Sequence, residues 1–294
     1  MGISIRALHP HVGGEATGVD LRQPLSRDEV AAIEAGMDRY AVLVFPGQAI
    51  DDAQQLAFSL NFGEIEKALA GDLQKLDEKR LSTDFADVSN LDRNQQIVRR
   101  DDRHRLFALG NRLWHSDSSF RAVPAKYSLL SARIIPSRGG NTEFADMRAA
   151  WDELDDAMKA QAEDLVCEHS LMHSRGKLGF TDMTPAEKEM FRPVRQRLVR
   201  VHPVTGRKSL YLSSHIGGIV GWPVAEANDF IRELTEHATQ RRFVYSHPWR
   251  VHDLVVWDNR QTMHRVRPFA DTVEKRDVRR TTVAGDGPTV AQAA

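Results

Sequence analysis

The stretch WHSDSSF, residues 114–120, places a histidine and a carboxylate two positions apart, at His115 and Asp117. In a β-strand, side chains at i and i+2 point to the same face, so a strand here would project both groups together. A neutral imidazole and a carboxylate supply two of the three ligands of a facial metal site. The spacing therefore directs the search to a third ligand elsewhere in the chain.

His264 is the candidate for that third ligand. The sequence DLVVWDNRQTMHRV, residues 253–266, is typical of a buried strand, a turn at Asp258 and Asn259, and a second strand that carries His264. Two imidazoles and one carboxylate on one octahedral face suit Fe(II) and leave three positions open. An isolated H-x-D pattern is common in proteins without a metal, so the interpretation depends on the surrounding residues.

Two arginines downstream of His264 favour an anion-binding site. In EKRDVRRTTV, residues 274–283, strand alternation places Arg276, Val278 and Arg280 on one face and Arg279 on the other. Guanidinium groups bind carboxylates through paired donors. Arg276 and Arg280 would lie about 13 Å apart at ~3.3 Å per residue, which is too far for one small anion. The pattern predicts two different carboxylates.

Many short strands must position these residues. Ser26 and Glu29 form a capping box that predicts a helix over LSRDEVAAIEAGMDRY, and the apolar spacing in residues 147–166 predicts one continuous helix. From KYSLLSARIIP onward, short strands alternate with turns. This arrangement is typical of a β-sandwich or barrel with added helices. We predict a mostly β fold with flanking helices, in a single domain over residues 1–285.

Two segments depart from this pattern. Residues 64–110 are charged and contain few β-branched runs. Long loops in compact domains often form lids, so we expect a lid-like excursion there. Residues 286–294 are small and polar, which predicts a disordered tail.

The composition excludes several classes of protein. The chain has 294 residues, of which 41% are hydrophobic, and a formal net charge of −1, so no strong field favours nucleic acid. No apolar run approaches the ~18 residues of a membrane span. The lone cysteine, Cys167, cannot form an internal disulfide, which fits a reducing compartment. We predict a cytoplasmic homo-oligomer that binds a small-molecule carboxylate and neither nucleic acid nor membrane.

The motifs WHSDSSF, GGNTEFADM, WDNRQTMHR and RRTTVAG resemble those of the iron(II)/2-oxoglutarate-dependent dioxygenases of the taurine dioxygenase superfamily. The resemblance runs from GVDLRQPL to TTVAG, with the motifs in the order of the family. The spacing from His264 to the arginines looks like that of the 2,4-dichlorophenoxyacetate dioxygenases. The resemblance implies a double-stranded β-helix, or jelly-roll, core.

Carried over residue by residue, the resemblance implies that His115, Asp117 and His264 are the iron ligands. Thr142, in GGNTEF, matches a threonine whose hydroxyl binds 2-oxoglutarate. Arg276 matches the arginine that pairs with the distal carboxylate of 2-oxoglutarate. A turn or strand position without a ligand is the plain alternative for Thr142.

The resemblance also implies residues around the cosubstrate and the substrate. Trp257 matches an aromatic residue that lines the cosubstrate pocket, with core packing as the alternative. Arg280 matches the arginine that faces the acid group of the primary substrate, and Asn111 matches a position near the substrate. We further interpret His202, in RVHP, and His247, in YSHPW, as candidates for substrate contact, against satisfied structural histidines.

The implied chemistry uses Fe(II), 2-oxoglutarate as cosubstrate and O2, with no catalytic side chain beyond the metal centre. It hydroxylates the carbon next to the ether oxygen of an aryloxyalkanoate such as 2,4-dichlorophenoxyacetate, giving a phenol, glyoxylate, succinate and CO2. A taurine, sulfonate or alkylsulfate dioxygenase with the same iron site is one alternative. A non-catalytic jelly-roll metal sensor is another, although such a sensor needs neither arginine.

Overall fold

The computed structural model of the chain describes residues 2–68 and 80–291. Its strands, numbered in chain order, are β1 (Ser4–Ala7), β2 (Gly14–Thr17), β3 (Val42–Phe45), β4 (Ala86–Asp87), β5 (Ala125–Ile134), β6 (Thr142–Asp146), β7 (Val166–His169), β8 (Val194–Arg197), β9 (Val199–Val201), β10 (Lys208–Leu210), β11 (Ile216–Ile219), β12 (Val244–His247), β13 (Leu254–Asp258), β14 (Thr262–Val266) and β15 (Asp277–Ala284). Its α-helices are α1 (Arg27–Tyr40), α2 (Asp52–Leu60), α3 (Arg103–Ala108), α4 (Met147–Asp152), α5 (Asp156–Ala162), α6 (Leu171–Gly176), α7 (Pro185–Met190) and α8 (Val224–Ala238).

Two sheets pack face to face around the centre of this structure. The larger has the strand order β1-β2-β3-β13-β5-β15-β4, and the smaller has the order β12-β6-β14. Neighbouring strands are antiparallel except β2 and β3, which are parallel. Phe144 of the smaller sheet packs on Trp257 of the larger one, with ring centroids 5.5 Å apart. The fold is therefore mostly β with flanking helices, as the sequence predicts.

Strand alternation explains why β13 is apolar along its whole length. Val255 and Trp257 point towards Phe144 in one buried cluster. Leu254 and Val256 point to the opposite face, into a second cluster that contains residues of α1 and α2. A strand covered on both faces must be apolar at consecutive positions. The continuous run LVVW is the sequence signature of this burial.

The predicted continuous helix over residues 147–166 is wrong. The chain forms α4 and α5 instead, with a break between them. The Asp155 carboxylate accepts a hydrogen bond from the amide of Met158 and caps the start of α5. An aspartate that satisfies the free amides of a first turn competes with continuation of the preceding helix.

The predicted disordered tail is also corrected for its described residues, 286–291. Thr289 is fully buried. Its hydroxyl donates to the Gln196 side chain at 2.6 Å and accepts from the amide of Arg197 at 2.9 Å. Residues 292–294 of the prediction lie outside the described residues.

The segment 64–110 is partly integrated into the larger sheet. Ile65 forms a bridge with Val283, and β4 pairs with β15 at the sheet edge. Residues 69–79 of the predicted excursion lie outside the described residues. None of the helices described is long and apolar enough to cross a membrane.

Candidate active site

Backbone pairing brings His115 and His264 together. The amide of His115 donates to the carbonyl of His264 at 3.0 Å, and the amide of His264 donates back at 2.8 Å. This isolated antiparallel bridge joins His115 to β14, and β14 also pairs with β6 in the smaller sheet. The two imidazole centroids are 4.2 Å apart. Residues that are distant in sequence thus lie side by side.

A turn, rather than a strand, brings Asp117 to the same place. The chain leaves the bridge at His115 and turns, and Ser118 adopts a left-handed backbone with φ of 55°. The strand predicted for His115 and Asp117 is therefore wrong, although the predicted proximity is confirmed. The amide of Asp117 donates to Asn259 Oδ1 at 3.0 Å, which fixes the turn to the end of β13.

The three side chains offer ligand atoms that all lie within 4.8 Å of one another. His115 Nε2 is 3.8 Å from Asp117 Oδ1, and His264 Nε2 is 3.7 Å from Asp117 Oδ2. These separations exceed hydrogen-bond range, so an ion with bonds of about 2 Å fits between the ligands. Two imidazoles and one carboxylate form the donor set preferred by Fe(II) with open positions. These residues fit such a metal.

The neighbours of the ligands fix their orientation. His115 Nδ1 donates to the Leu113 carbonyl at 2.8 Å, which directs the Nε2 lone pair towards the centre. Asp117 Oδ2 accepts from the Ser128 hydroxyl at 2.7 Å. Arg280 donates from Nη1 to Asp117 Oδ1. Ser128 and Arg280 thus hold the two oxygens of the Asp117 carboxylate in place next to the imidazoles.

Electrostatics keep the ligands in the protonation states that bind metal. Burial lowers the pKa of His115, and burial together with the neighbouring His115 places the pKa of His264 well below its ordinary value. Burial alone would raise the pKa of Asp117, but Arg280 and the two imidazoles outweigh it and lower that pKa to about 2. At neutral pH the site has two neutral imidazoles and one carboxylate, so metal binding displaces no proton from them.

Two cavities meet at this centre. The smaller, with an empty volume of about 340 Å³, is lined by Thr142, Trp257, His264 and Arg276 among others. The larger has an empty volume of about 960 Å³, and its lining includes Asp117. His115, Asn111 and Arg280 line both cavities. The predicted metal ligands thus lie at a junction between two binding spaces.

Arg276 is a buried cation in the wall of the smaller cavity. Its side chain is 3% exposed, its Nε has no hydrogen-bond partner, and it forms no ion pair with a carboxylate of the described residues. Burial lowers its pKa to about 10. Thr142 accepts a hydrogen bond from Trp249 Nε1 at 2.9 Å, and the Trp257 ring lies 4.6 Å from that of His264. A buried guanidinium without a counterion suits an anionic ligand.

The larger cavity has apolar and charged walls. Phe107 of α3, Phe120 and Leu171 of α6 provide apolar surface. The segment predicted as an excursion contributes much of the remaining lining, including Glu66, which accepts from the Ser118 hydroxyl at 2.6 Å. The described part of that segment therefore borders the cavity.

His202 and His247 are not brought to either cavity. His202 Nε2 lies 3.3 Å from Asp258 Oδ2, and His247 Nε2 lies 3.1 Å from Asp253 Oδ2. Both histidines are buried, and neither lines the two cavities at the metal ligands. The structure thus corrects their placement near the substrate, because buried aspartates hold both rings.

Sequence reasoning missed two residues of the larger cavity. Arg175 and His215 line it, and the His215 ring lies 6.0 Å from that of the ligand His115. Their local sequences, SLMHSRG and SSHIGG, have no spacing that relates them to the metal ligands. Only the tertiary packing of α6 and β11 places them there.

Comparison with known proteins agrees with this geometry. Residues 4–282 match the family described as taurine catabolism dioxygenase TauD, TfdA family. The chain is 42% identical over 286 residues to the alpha-ketoglutarate-dependent 2,4-dichlorophenoxyacetate dioxygenase of Cupriavidus pinatubonensis, covering 97% of this chain and 99% of that protein. It is 37% identical over 290 residues to the (S)-phenoxypropionate/alpha-ketoglutarate-dioxygenase of Sphingobium herbicidovorans, covering 96% and 95%.

A solved structure is also similar over the full length. The crystal structure of AAD-2 in complex with Mn(II) and N-oxalylglycine aligns with a TM-score of 0.95 and 59% sequence identity, covering 98% of this chain and 100% of that one. That protein was therefore solved with a divalent metal and a small dicarboxylate analogue.

Proposed function

We propose a substrate class for this chain from the premise that it belongs to the taurine catabolism dioxygenase TauD, TfdA family. It is an Fe(II)- and 2-oxoglutarate-dependent dioxygenase. We propose that it hydroxylates the carbon next to the ether oxygen of an aryloxyalkanoate such as 2,4-dichlorophenoxyacetate. The observation that carries this proposal is the junction of two cavities at His115, Asp117 and His264, each cavity containing a guanidinium.

The smaller cavity is assigned to the cosubstrate. His115, Asp117 and His264 would hold Fe(II), which with 2-oxoglutarate and O2 supplies an oxidant able to hydroxylate an unactivated C–H bond, with release of succinate and CO2. Arg276 would pair with the distal carboxylate of 2-oxoglutarate, because it is a buried cation without a protein counterion. Thr142 would donate its hydroxyl to the same ligand, and Trp257 would form the wall.

The larger cavity is assigned to the aryloxyalkanoate. Arg280 lies beside Asp117 and would face the acid group, and Asn111 would lie along the chain next to it. Phe107 and Phe120 would receive the aromatic ring, since apolar walls favour burial of a chlorinated ring. This orientation places the carbon between the acid and the ether oxygen next to the metal ligands. Hydroxylation there gives a hemiacetal, which collapses to a phenol and glyoxylate.

The proposal extends to the type of β fold and to the location of the protein in the cell. We propose that the two facing sheets form a double-stranded β-helix, because β14 and β13 supply the site from opposite sheets. We also propose a cytoplasmic location, which the buried free thiol of Cys167 supports. The homo-oligomer stays a prediction.

The test is O2-dependent succinate formation by the Fe(II) protein with 2-oxoglutarate. The substrates to compare are phenoxyacetates, phenoxypropionates, taurine and an alkylsulfate. We expect stimulation by the aryloxyalkanoates with release of the phenol. Stimulation by taurine or the alkylsulfate alone would replace the proposed substrate and leave the metal site in place. Absence of succinate with every compound would contradict the oxygenase assignment itself.

A further inference from the structure

Arg175, on α6, is a buried cation in the wall of the larger cavity. Its side chain is 5% exposed, and its Nε has no hydrogen-bond partner. Its guanidinium carbon lies 4.4 Å from the centroid of the Phe107 ring. Within residues 2–68 and 80–291 it forms no ion pair with a carboxylate. Buried arginines are normally paired, and an unpaired guanidinium in the wall of a cavity has the charge and the donors to bind an anion there.

The Arg175 guanidinium packs against the backbone of Gly110 and the ring of Phe107. A Cβ atom added to Gly110 would lie 2.0 Å from Arg175 Nη1, so the guanidinium occupies the space that a side chain there would need. Gly110 belongs to the short 3-10 helix Leu109–Arg112, which also carries Asn111 and leads to the ligand His115. Arg175 is therefore packed against the chain segment that positions the metal site. A fixed guanidinium loses little conformational entropy when it binds an anion.

Ser174 connects Arg175 to His215. The Ser174 hydroxyl donates to the Leu171 carbonyl at 2.9 Å, so its oxygen accepts from both Arg175 Nη1 at 3.2 Å and His215 Nδ1 at 2.8 Å. His215 then carries its proton on Nδ1, which leaves an Nε2 lone pair on the ring that lines the cavity. Arg175 and His215 thus form one wall next to His115.

Of the arginines that line the larger cavity, Arg175 is the one without a carboxylate partner among the described residues. Each described carboxylate that lines the cavity already has its own cation. The pairs are Glu66 with Arg121, Asp84 with Lys67, Asp87 with Arg80, and Asp117 with Arg280. Since Arg280 is committed to Asp117, Arg175 is the lining guanidinium whose charge is unmatched. A net positive wall selects an anion from water.

We propose that Arg175 is a second guanidinium, beside Arg280, that binds the acid group of the substrate and selects anionic over neutral substrates. This inference rests on the proposed function, because it takes the larger cavity as the substrate site. Arg280 orients Asp117 and offers its remaining donors, whereas Arg175 supplies the uncompensated charge. The chemical class of the ligand is a small organic acid with an apolar ring.

The test compares Arg175→Gln with the wild-type protein, both loaded with Fe(II) and 2-oxoglutarate. The probes are 2,4-dichlorophenoxyacetate and its neutral primary amide. We expect the substitution to raise KM for the acid on the order of 10- to 100-fold, because a hydrogen-bonded ion pair is lost. KM for the amide should change less than about threefold. Anaerobic titration of the visible charge-transfer band should give an unchanged affinity for 2-oxoglutarate.

Arg200 provides a matched control. It is 3% exposed, forms no ion pair in the described part of the chain, and lies with its guanidinium carbon 4.8 Å from the Tyr211 ring centroid. It lines neither cavity. Arg200→Gln removes an equally buried cation on an aromatic ring, and we expect it to leave the ratio of the two KM values unchanged.

The outcomes separate this inference from the proposed function. An Arg175→Gln protein whose KM for the acid is unchanged, or rises equally for acid and amide, would overturn the role of Arg175. If that variant does not bind 2-oxoglutarate, Arg175→Lys replaces it, with a several-fold rise in KM expected for the acid alone. A wild-type protein that rejects aryloxyalkanoates contradicts the proposed function. The acid-selective effect is then measured with whichever anion stimulates succinate formation, and its absence there overturns the inference.

Discussion

Two buried groups of histidine, aspartate and arginine lie near the turn that joins β13 to β14, one around Asp258 and one around Asp117, and they differ in whether the carboxylate is already satisfied. Asp258 accepts from the Arg260 amide at 2.8 Å and from the Gln261 side chain at 2.8 Å. The Arg260 guanidinium adds a contact at 2.8 Å, and His202 Nε2 lies at 3.3 Å. Both oxygens are therefore occupied, and the group is closed.

The Asp117 group has the same residue types but remains open. Among the side chains that the structure describes, its carboxylate accepts only from Ser128 and Arg280, and both imidazole Nε2 atoms lie beyond hydrogen-bond distance. The pKa of each aspartate is lowered despite burial, chiefly by Arg260 for Asp258 and by Arg280 for Asp117. A lowered pKa therefore does not distinguish a metal site from a structural one. The geometry of the unused lone pairs does.

The largest effect that sharpens this contrast is expected from Asp117→Ala. Loss of the only anionic ligand should reduce metal-dependent turnover by about 10³-fold or more, equivalent to ~4 kcal/mol of transition-state stabilisation. Metal content after anaerobic gel filtration should fall from one ion per chain to none. Asp258→Asn serves as the control and should retain its metal at a temperature where it is folded. An Asp117→Ala protein with a full equivalent of metal would contradict the ligand assignment.

A substitution in the closed Asp258 group should lower the stability of the fold and leave metal binding intact. Asp258→Asn removes one partner from a buried charge network and leaves the Arg260 charge less compensated. We expect the free energy of unfolding to fall by about 3 kcal/mol. Urea unfolding of the variant and the wild type measures this difference. Loss of less than about 1 kcal/mol, together with loss of metal, would reverse the roles assigned to the two groups.

The arginines extend the comparison to cations. Arg276 has no counterion among the described residues, whereas Arg260 is paired with Asp258 and Asp286. Arg276→Gln should raise KM for 2-oxoglutarate on the order of 10- to 100-fold with little change in KM for the substrate. Arg280→Ala should weaken substrate binding more than 2-oxoglutarate binding. Equal effects of each variant on both ligands would be inconsistent with two separate cavities.

The sequence predicts the composition of the site better than the path of the chain through it. His115, Asp117 and His264 come together as expected, Arg276 lines the smaller cavity, and Arg280 lines both cavities. Strand alternation predicts a strand at Asp117, but the structure has a turn there, with a left-handed Ser118 and a hydrogen bond from the Asp117 amide to the distant Asn259 side chain. Local alternation cannot reveal a partner that lies more than a hundred residues away.

The histidines also show that a local sequence pattern does not determine which residues line a cavity. His202 and His247 occur in equivalent sequence contexts, each before a proline, and both suggested substrate contact. Buried aspartates hold them in the structure. His215 and Arg175 have no comparable motif, and they line the cavity because the start of β11 and the helix α6 pack beside the site. Residue type indicates the possible chemistry, but long-range packing decides which residues of that type face a ligand.

The smallest effect on substrate binding is expected at His247, whose ring lies beside Asp253 and lines neither cavity. His247 accepts from or donates to Tyr245 at 3.2 Å and lies 3.1 Å from Asp253, so His247→Gln should lower the free energy of unfolding by about 1–2 kcal/mol. KM for the aryloxyalkanoate should change less than about twofold, because the ring lines neither cavity.

His215→Gln makes the matched comparison: its ring lines the larger cavity, so KM should rise several-fold with a similar loss of stability. Because both substitutions remove one buried imidazole, a difference in KM between them measures access to the cavity rather than burial. Equal KM values in the two variants would mean that substrate does not reach the wall formed by His215, and the acid-binding side of the cavity would then have to be reassigned towards Arg280 alone.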